Sequence, residues 1–151
     1  MPAFEERFQV GAPPDRVWDV LLDPARLAPC IPGCAGIEME DARTYRFRLV
    51  VKVGFLSTTQ DMRMTITEME PPRRLVATGH GEDGKLGSQV DVRSTIRLEP
   101  VDPASTEVHY RSEVRVLGRL GTVGDAVMRV KAGQLAGEFA SRLRAAVEAR
   151  P

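Results

Sequence analysis

From residue 36 to residue 117 hydrophobic and polar side chains alternate along the chain with a period of two. "TYRFRLVVKV" (44–53) puts Tyr45, Phe47, Leu49, Val51 and Val53 on one face and Arg46, Arg48, Val50 and Lys52 on the other. "DMRMTITEM" (61–69) sets Met62, Met64 and Ile66 against Arg63, Thr65 and Thr67. "QVDVRSTIRLEP" (89–100) sets Val90, Val92, Ser94, Ile96 and Leu98 against Asp91, Arg93, Thr95 and Arg97, and "EVHYRSEVRV" (107–116) sets Val108, Tyr110, Ser112, Val114 and Val116 against His109, Arg111, Glu113 and Arg115. Successive strand side chains point to opposite faces, so the pattern predicts an antiparallel sheet with one face in water and the other on a core. "RLVATGHGED" (74–83) reads as a further strand, weakened by Gly79 and Gly81, which bring no side chain to pack. The breakers "EPPR", "EDGKLG" and "EPVDPAS" separate the runs.

The ends of the chain change period. "FEERFQV" (4–10) predicts a short strand, and "PPDRVWDVLLDP" a helix with prolines suited to its first turn and Val17, Trp18, Val20 and Leu21 on one face. Asp23 precedes Pro24, which pushes it out of the helical region and stops this helix; "ARLA" then adds a second short turn before Pro29. At the other end Thr122 is the expected N-cap of a long helix, with Asp125 three residues on as in a capping box. Val127, Val130, Leu135, Phe139, Leu143 and Val147 form its apolar stripe, and the helix is expected to run to Pro151. A sheet with one apolar face must cover it, and this helix is the only element of sufficient size. The predicted architecture is α+β: a curved antiparallel sheet of about seven strands wrapped around a long C-terminal helix, with two short helices after the first strand, in a single domain spanning 1–151.

Such an assembly encloses apolar space. The candidate ligand-binding cavity is lined by Trp18, Tyr45, Phe47, Leu49, Met62, Met64, Val92, Ser94, Tyr110, Val127, Val130 and Phe139. Its polar handles are hydroxyls, of Tyr45, Ser94, Tyr110 and Ser112. Acid–base catalysis needs a titratable group in the pocket, and this face carries no carboxylate, histidine or lysine, so no catalytic residue is assigned. Apolar walls with a few hydroxyls suit a hydrophobic small molecule held by shape, and Met62 and Met64 would adapt to a flexible one. A filled core writes the same periodicity.

In a meander, alternate turns share an end. The turns at 53–58, 81–87 and 117–122 therefore gather with the stretch after "CIPGC" to form a rim. Phe55, Leu56, Leu86, Leu117, Arg119 and Leu120 are expected there, near Lys85 and Arg115, with Gly118 and Gly121 as a hinge. Apolar residues among basic ones suit transient contact with an anionic membrane surface.

Composition narrows the alternatives. With 21 basic and 21 acidic residues the net charge is zero, against a nucleic-acid binder. "MPAFEERFQV" has no basic-plus-apolar leader and no apolar run approaches a membrane span, so the expected location is cytoplasmic, peripheral at the inner face of the membrane where contact occurs. Cys30 and Cys34 flank a Pro-Gly turn; with only His80 and His109 to join them, no four-ligand zinc set is apparent, and they read as reduced thiols at a folded corner. The glycines of "GRLGTVGDAV" (118–127) sit outside any βαβ unit and read as a hinge rather than a phosphate loop. His80 and His109 fall on the polar strand faces. Neither a metal nor a cofactor is expected.

The stretch "F-x-V-x-A-P-x-D-x-V-W-x-x-L-x-D-P-x-x-L-A-x-C-I-P-G-C" (8–34), then "VKVG" (51–54) and the glycine-spaced lead into the last helix, resembles the CoxG family, named for carbon monoxide dehydrogenase, within the START/polyketide-cyclase-like (SRPBCC) helix-grip superfamily. Trp18, Asp23, Pro24 and the run Cys30 to Gly33 are the most specific part of the resemblance. It implies a non-catalytic accessory to molybdenum hydroxylases of the CO-dehydrogenase type, concerned with membrane recruitment and with carrying a quinone or similar lipid. An aromatase/cyclase and a docking module with a filled core are the other readings.

Overall fold

The computed structural model describes residues 2–149; Pro151, the expected helix end, lies outside them. The chain runs β1 (Ala3–Val10), α1 (Pro14–Leu21), α2 (Pro24–Leu27), a 3-10 turn (Ala28–Cys30), β2 (Cys34–Asp41), β3 (Thr44–Val53), β4 (Leu56–Glu70), β5 (Arg74–Asp83), β6 (Ser88–Asp102), β7 (Ser105–Gly118), a second 3-10 turn (Arg119–Val123) and α3 (Asp125–Glu148). Seven antiparallel strands form one sheet in the order β1-β7-β6-β5-β4-β3-β2. This is the predicted meander, with β1 added to the β7 edge and α1 and α2 carrying the chain across to the β2 edge.

Period-two residues fall on the predicted faces because the hairpins hold register over their whole length: Tyr45 pairs with Met64, Met64 with Gly79, Gly79 with Val92 and Val92 with Val114. Two clusters close the concave side. At one end Val10, Val17, Val20, Leu21, Leu98 and Val108 pack against Leu143 and Val147 of α3. At the other, Val51, Val53 and Leu120 gather Leu86, Val116, Val123 and Met128. Trp18 belongs to the first cluster.

Two local expectations are corrected. The residue before α3 is Gly124, with no side-chain cap, and Thr122 Oγ1 instead donates to the Arg119 carbonyl at 2.6 Å. Cys34 is already the first residue of β2, so that strand begins two residues before the alternation at Gly36 suggests.

Candidate functional site

Between the two clusters lies a cavity of about 290 Å³. Its floor is the sheet. Phe47, Leu49, Met62, Met64, Val92, Ser94 and Tyr110 line it as expected from their strand positions, and so does Tyr45. Phe139 lines it from the helix. Ile31 and Pro32 of the Pro-Gly corner close one side. That corner is shaped by Gly33, whose φ of 81° and close approach to the Val50 carbonyl leave no room for a side chain. Cys30 is buried in the first cluster and both thiols are free.

Three expected lining residues lie elsewhere. Trp18 is part of the solid core, and Val127 and Val130 are exposed, Val130 by 62%. Helix geometry gives the reason. At 100° per residue a strict four-residue spacing drifts, so Val127 and Val130 end up about 160° and about 140° away from Leu143. The helix face that meets the cavity is Met128, Lys131, Ala132, Leu135, Ala136 and Phe139. Lys131 is thus a lining cation that the strand pattern could not show.

Gln60 and Thr58, also lining residues, were missed because they continue the inward face of β4 in polar form. Thr58 Oγ1 donates to Asp83 Oδ2 at 2.8 Å, and Gln60 Nε2 donates to Thr58 Oγ1 at 2.9 Å. Backbone N–H groups of Leu86, Thr59 and Lys85 also point at Asp83 and, with Thr58, hold its carboxyl below the ordinary value. Its contribution to stability is therefore present above the unfolded-state value and is lost as pH falls through the lowered folded value.

Deeper in the cavity, burial pushes the Tyr110 phenol up, and Ser112 and Ser94 pull it partly back. Its ring lies 4.8 Å from that of Phe139, tilted by 49°. The Tyr45 hydroxyl donates to the Leu21 carbonyl at 3.1 Å, tying β3 to α1.

The expected rim divides. Phe55 is 79% exposed and Leu117 and Arg119 are also exposed, whereas Leu56 and Leu86 are half-buried. Leu120 is only 3% exposed and lines the cavity rather than its outer lip, because the 3-10 turn folds it inward against Val51 and Val53. Gly118 and Gly121 differ in kind. Gly118 has φ 79° and ψ −151° and abuts the Gly87 carbonyl; Gly121 has open space around it. A groove of about 420 Å³ continues from the cavity between the start of α3 and the β7–β1 edge, sharing Phe4, Val114, Val116, Met128 and Ala132 with it.

The histidines sit on the outer face. His80 lies 2.7 Å from Asp91 and 3.1 Å from Glu82, and these carboxylates, Asp91 first, raise its pKa. His109 lies 2.6 Å from Glu107.

A curved seven-stranded sheet closed by one long helix over an apolar cavity is the helix-grip architecture of START-like proteins. Solved structures of that architecture superpose over almost the whole chain. A conserved protein from Geobacillus kaustophilus matches with a TM-score of 0.85 at 22% identity, covering 95% of this chain and 93% of its own. A START superfamily protein from Mycobacterium smegmatis gives 0.71 at 15%, covering 97% of each. The ZhuI aromatase/cyclase from Streptomyces sp. R1128 gives 0.71 at 19%, covering 97% and 93%. At these identities the likeness is one of fold. No curated protein matches the sequence. The family model for CoxG, the G-type accessory chain of carbon monoxide dehydrogenase, matches residues 7–148, and the chain belongs to that family.

Proposed function

We propose that this chain is a non-catalytic binding protein that carries a lipidic molecule, a quinone or isoprenoid, in its cavity. It would serve a membrane-associated redox enzyme of the CO-dehydrogenase type. The observation that carries this reading is the cavity itself: about 290 Å³ of space walled by apolar side chains, with a groove of about 420 Å³ leading out of it. At the ~30 Å³ that one water occupies in the liquid, the cavity corresponds to roughly ten non-hydrogen atoms, enough for a ring head or a short isoprenoid run. The rest of a longer tail would follow the groove. Tyr110, the deepest titratable group, is pushed away from ionising at neutral pH, which favours holding a ligand over acid–base chemistry. CoxG membership supports the link to a CO-dehydrogenase-type partner.

Membrane contact belongs to the same reading. Phe55, Val127 and Val130 are exposed at the end where the cavity closes, and a side chain at Gly54 would touch Val127. Lys52, Lys85, Arg119, Arg129 and Lys131 lie around them, and none makes an ion pair among the described residues. No described helix is long and apolar enough to cross a membrane, so contact would be interfacial.

Native mass spectrometry of gently purified protein, with extraction of whatever accompanies it, tests the carrier. Near-stoichiometric lipid or quinone is expected. Protein that is empty and also fails to take up added quinone would overturn the reading in favour of a docking module.

A further inference from the structure

Gln60 is 2% exposed, on the inner face of β4 beside Leu49. Its amide orientation is dictated from outside the cavity. Asp83 is a carboxylate that takes hydrogen bonds from three backbone N–H groups and from Thr58. Since a carboxylate only accepts, the Thr58 proton points at it, and the Thr58 oxygen has only lone pairs left for Gln60. Gln60 must therefore present Nε2 to Thr58; the flipped amide would set two acceptors against each other. The consequence is that Oε1 faces away from the relay, and it has no hydrogen-bond partner. It is the single buried side-chain polar atom left so among the described residues, and such an atom calls for an explanation.

Its surroundings supply one. Oε1 and the Met62 thioether lie together against the inner face of Gly81, where any side chain would overlap them. Closed off at rest, Oε1 is separated from the cavity by the far end of an unbranched, easily rotated side chain. We propose that Gln60 Oε1 is the polar anchor of the cavity, and that it selects apolar ligands whose head carries a hydroxyl donor over the same ligands without one. An isoprenoid alcohol or a quinol fits; the matching ether or quinone offers only acceptors and leaves Oε1 unpaired. The proposal rests on the carrier reading above, which it deepens by naming the head group.

A redox-stable matched pair tests it: farnesol against farnesyl methyl ether, titrated into the whole chain in competition with an apolar fluorescent probe. The wild type is expected to prefer the alcohol by about tenfold, since the ether strands a buried acceptor that the alcohol satisfies. In Gln60→Leu that preference should vanish while the ether binds as well as before. Thr58→Val, which frees the amide to turn, should weaken the preference with the glutamine still present, and serves if Gln60→Leu folds poorly. Equal binding of the two ligands to the wild type, or a preference that survives Gln60→Leu, overturns the anchor and leaves the carrier standing. Failure of the wild type to bind either ligand overturns both.

Discussion

At the scale of single residues, the most consequential positions are ones with no side chain. Gly79 and Gly81 occupy the inward face of β5, opposite Met64 and Met62 of β4 and Val92 and Val90 of β6. A Cβ at either would overlap the thioether of the methionine across from it. The two glycines thus hollow the middle of the sheet, and the methionines lean into the hollow without filling it. A long, adaptable side chain beside a missing one leaves a cavity where two medium side chains would leave a solid floor. Gly79→Val should convert part of that space to protein. Affinity for an apolar probe such as ANS is expected to fall about tenfold, the factor for the burial of roughly two methylenes, with the fold retained because the displaced atom is the end of a flexible chain. Unchanged probe binding by fluorescence titration would count against the methionine-lined region as the binding space. In the sequence the same glycines read only as a weakness in a strand. Alternation shows which face a residue is on and says nothing about which residue stands opposite it.

At the scale of elements, the connection between β7 and α3 decides how the cavity is closed. The 3-10 turn Arg119–Val123 is bounded by Gly118, at φ 79° and ψ −151°, and Gly124, at φ 97° and ψ 151°. Both lie in a region that is essentially glycine-only. Gly118 is held there by packing: the Arg119 N–H donates to the Gly87 carbonyl at 3.1 Å, and a Cβ on Gly118 would strike that carbonyl. Gly118→Ala should therefore cost about 1–3 kcal/mol, the usual strain of a side chain in this region, read as a lower midpoint in denaturant unfolding. Gly121→Ala has open space and should lie within about 0.5 kcal/mol of wild type. Equal effects at both sites would mean that the glycines act through chain entropy alone. The predicted hinge is thus two unlike positions: one a backbone geometry that needs glycine, the other an unconstrained residue. Spacing in sequence made them equivalent because both were read as freedom of φ. The same scale explains the helix. Its C-terminal half was legible, since Leu143 and Val147 are apolar and wholly buried. Its N-terminal half was not, since valines at the wrong phase outweighed the smaller Ala132 and Ala136 that actually face the sheet.

At the scale of the molecule, charge is sorted although its sum is zero. Arginines on the outer sheet face are largely paired: Arg48 with Asp61, Arg74 with Glu68 and Arg111 with Glu5 lie 2.9–3.2 Å from their partners. The cations around the closing end, Lys52, Lys85, Arg119 and Arg129, are exposed and have no such partners among the described residues, with Phe55 standing among them. A lipid surface bearing negative headgroups would supply the missing charge, each cation near it adding about 1 kcal/mol. Co-sedimentation with vesicles of mixed phosphatidylglycerol and phosphatidylcholine is expected to be salt-sensitive and to weaken about tenfold in Phe55→Ser, by the loss of one partly inserted aromatic side chain. Binding that ignores both salt and Phe55 would point away from this end of the molecule as the contact.

The sequence by itself determined the class of fold, because a sheet face and a helix stripe are local periodicities, repeated every second or every third to fourth residue whatever surrounds them. It also carried the family, in the run from Phe8 to Cys34 and the residues that follow it. What only the tertiary structure decided is where the two periodic surfaces fail to meet. Gln60 acquires a fixed orientation from Asp83, 23 residues away in the chain and joined to it through Thr58. Lys131 joins the lining, and Val130 leaves it, through the rotation of one helix. The cavity is the space left over between elements, and leftover space depends on cross-strand pairing and helix phase together, neither of which is written at any single position.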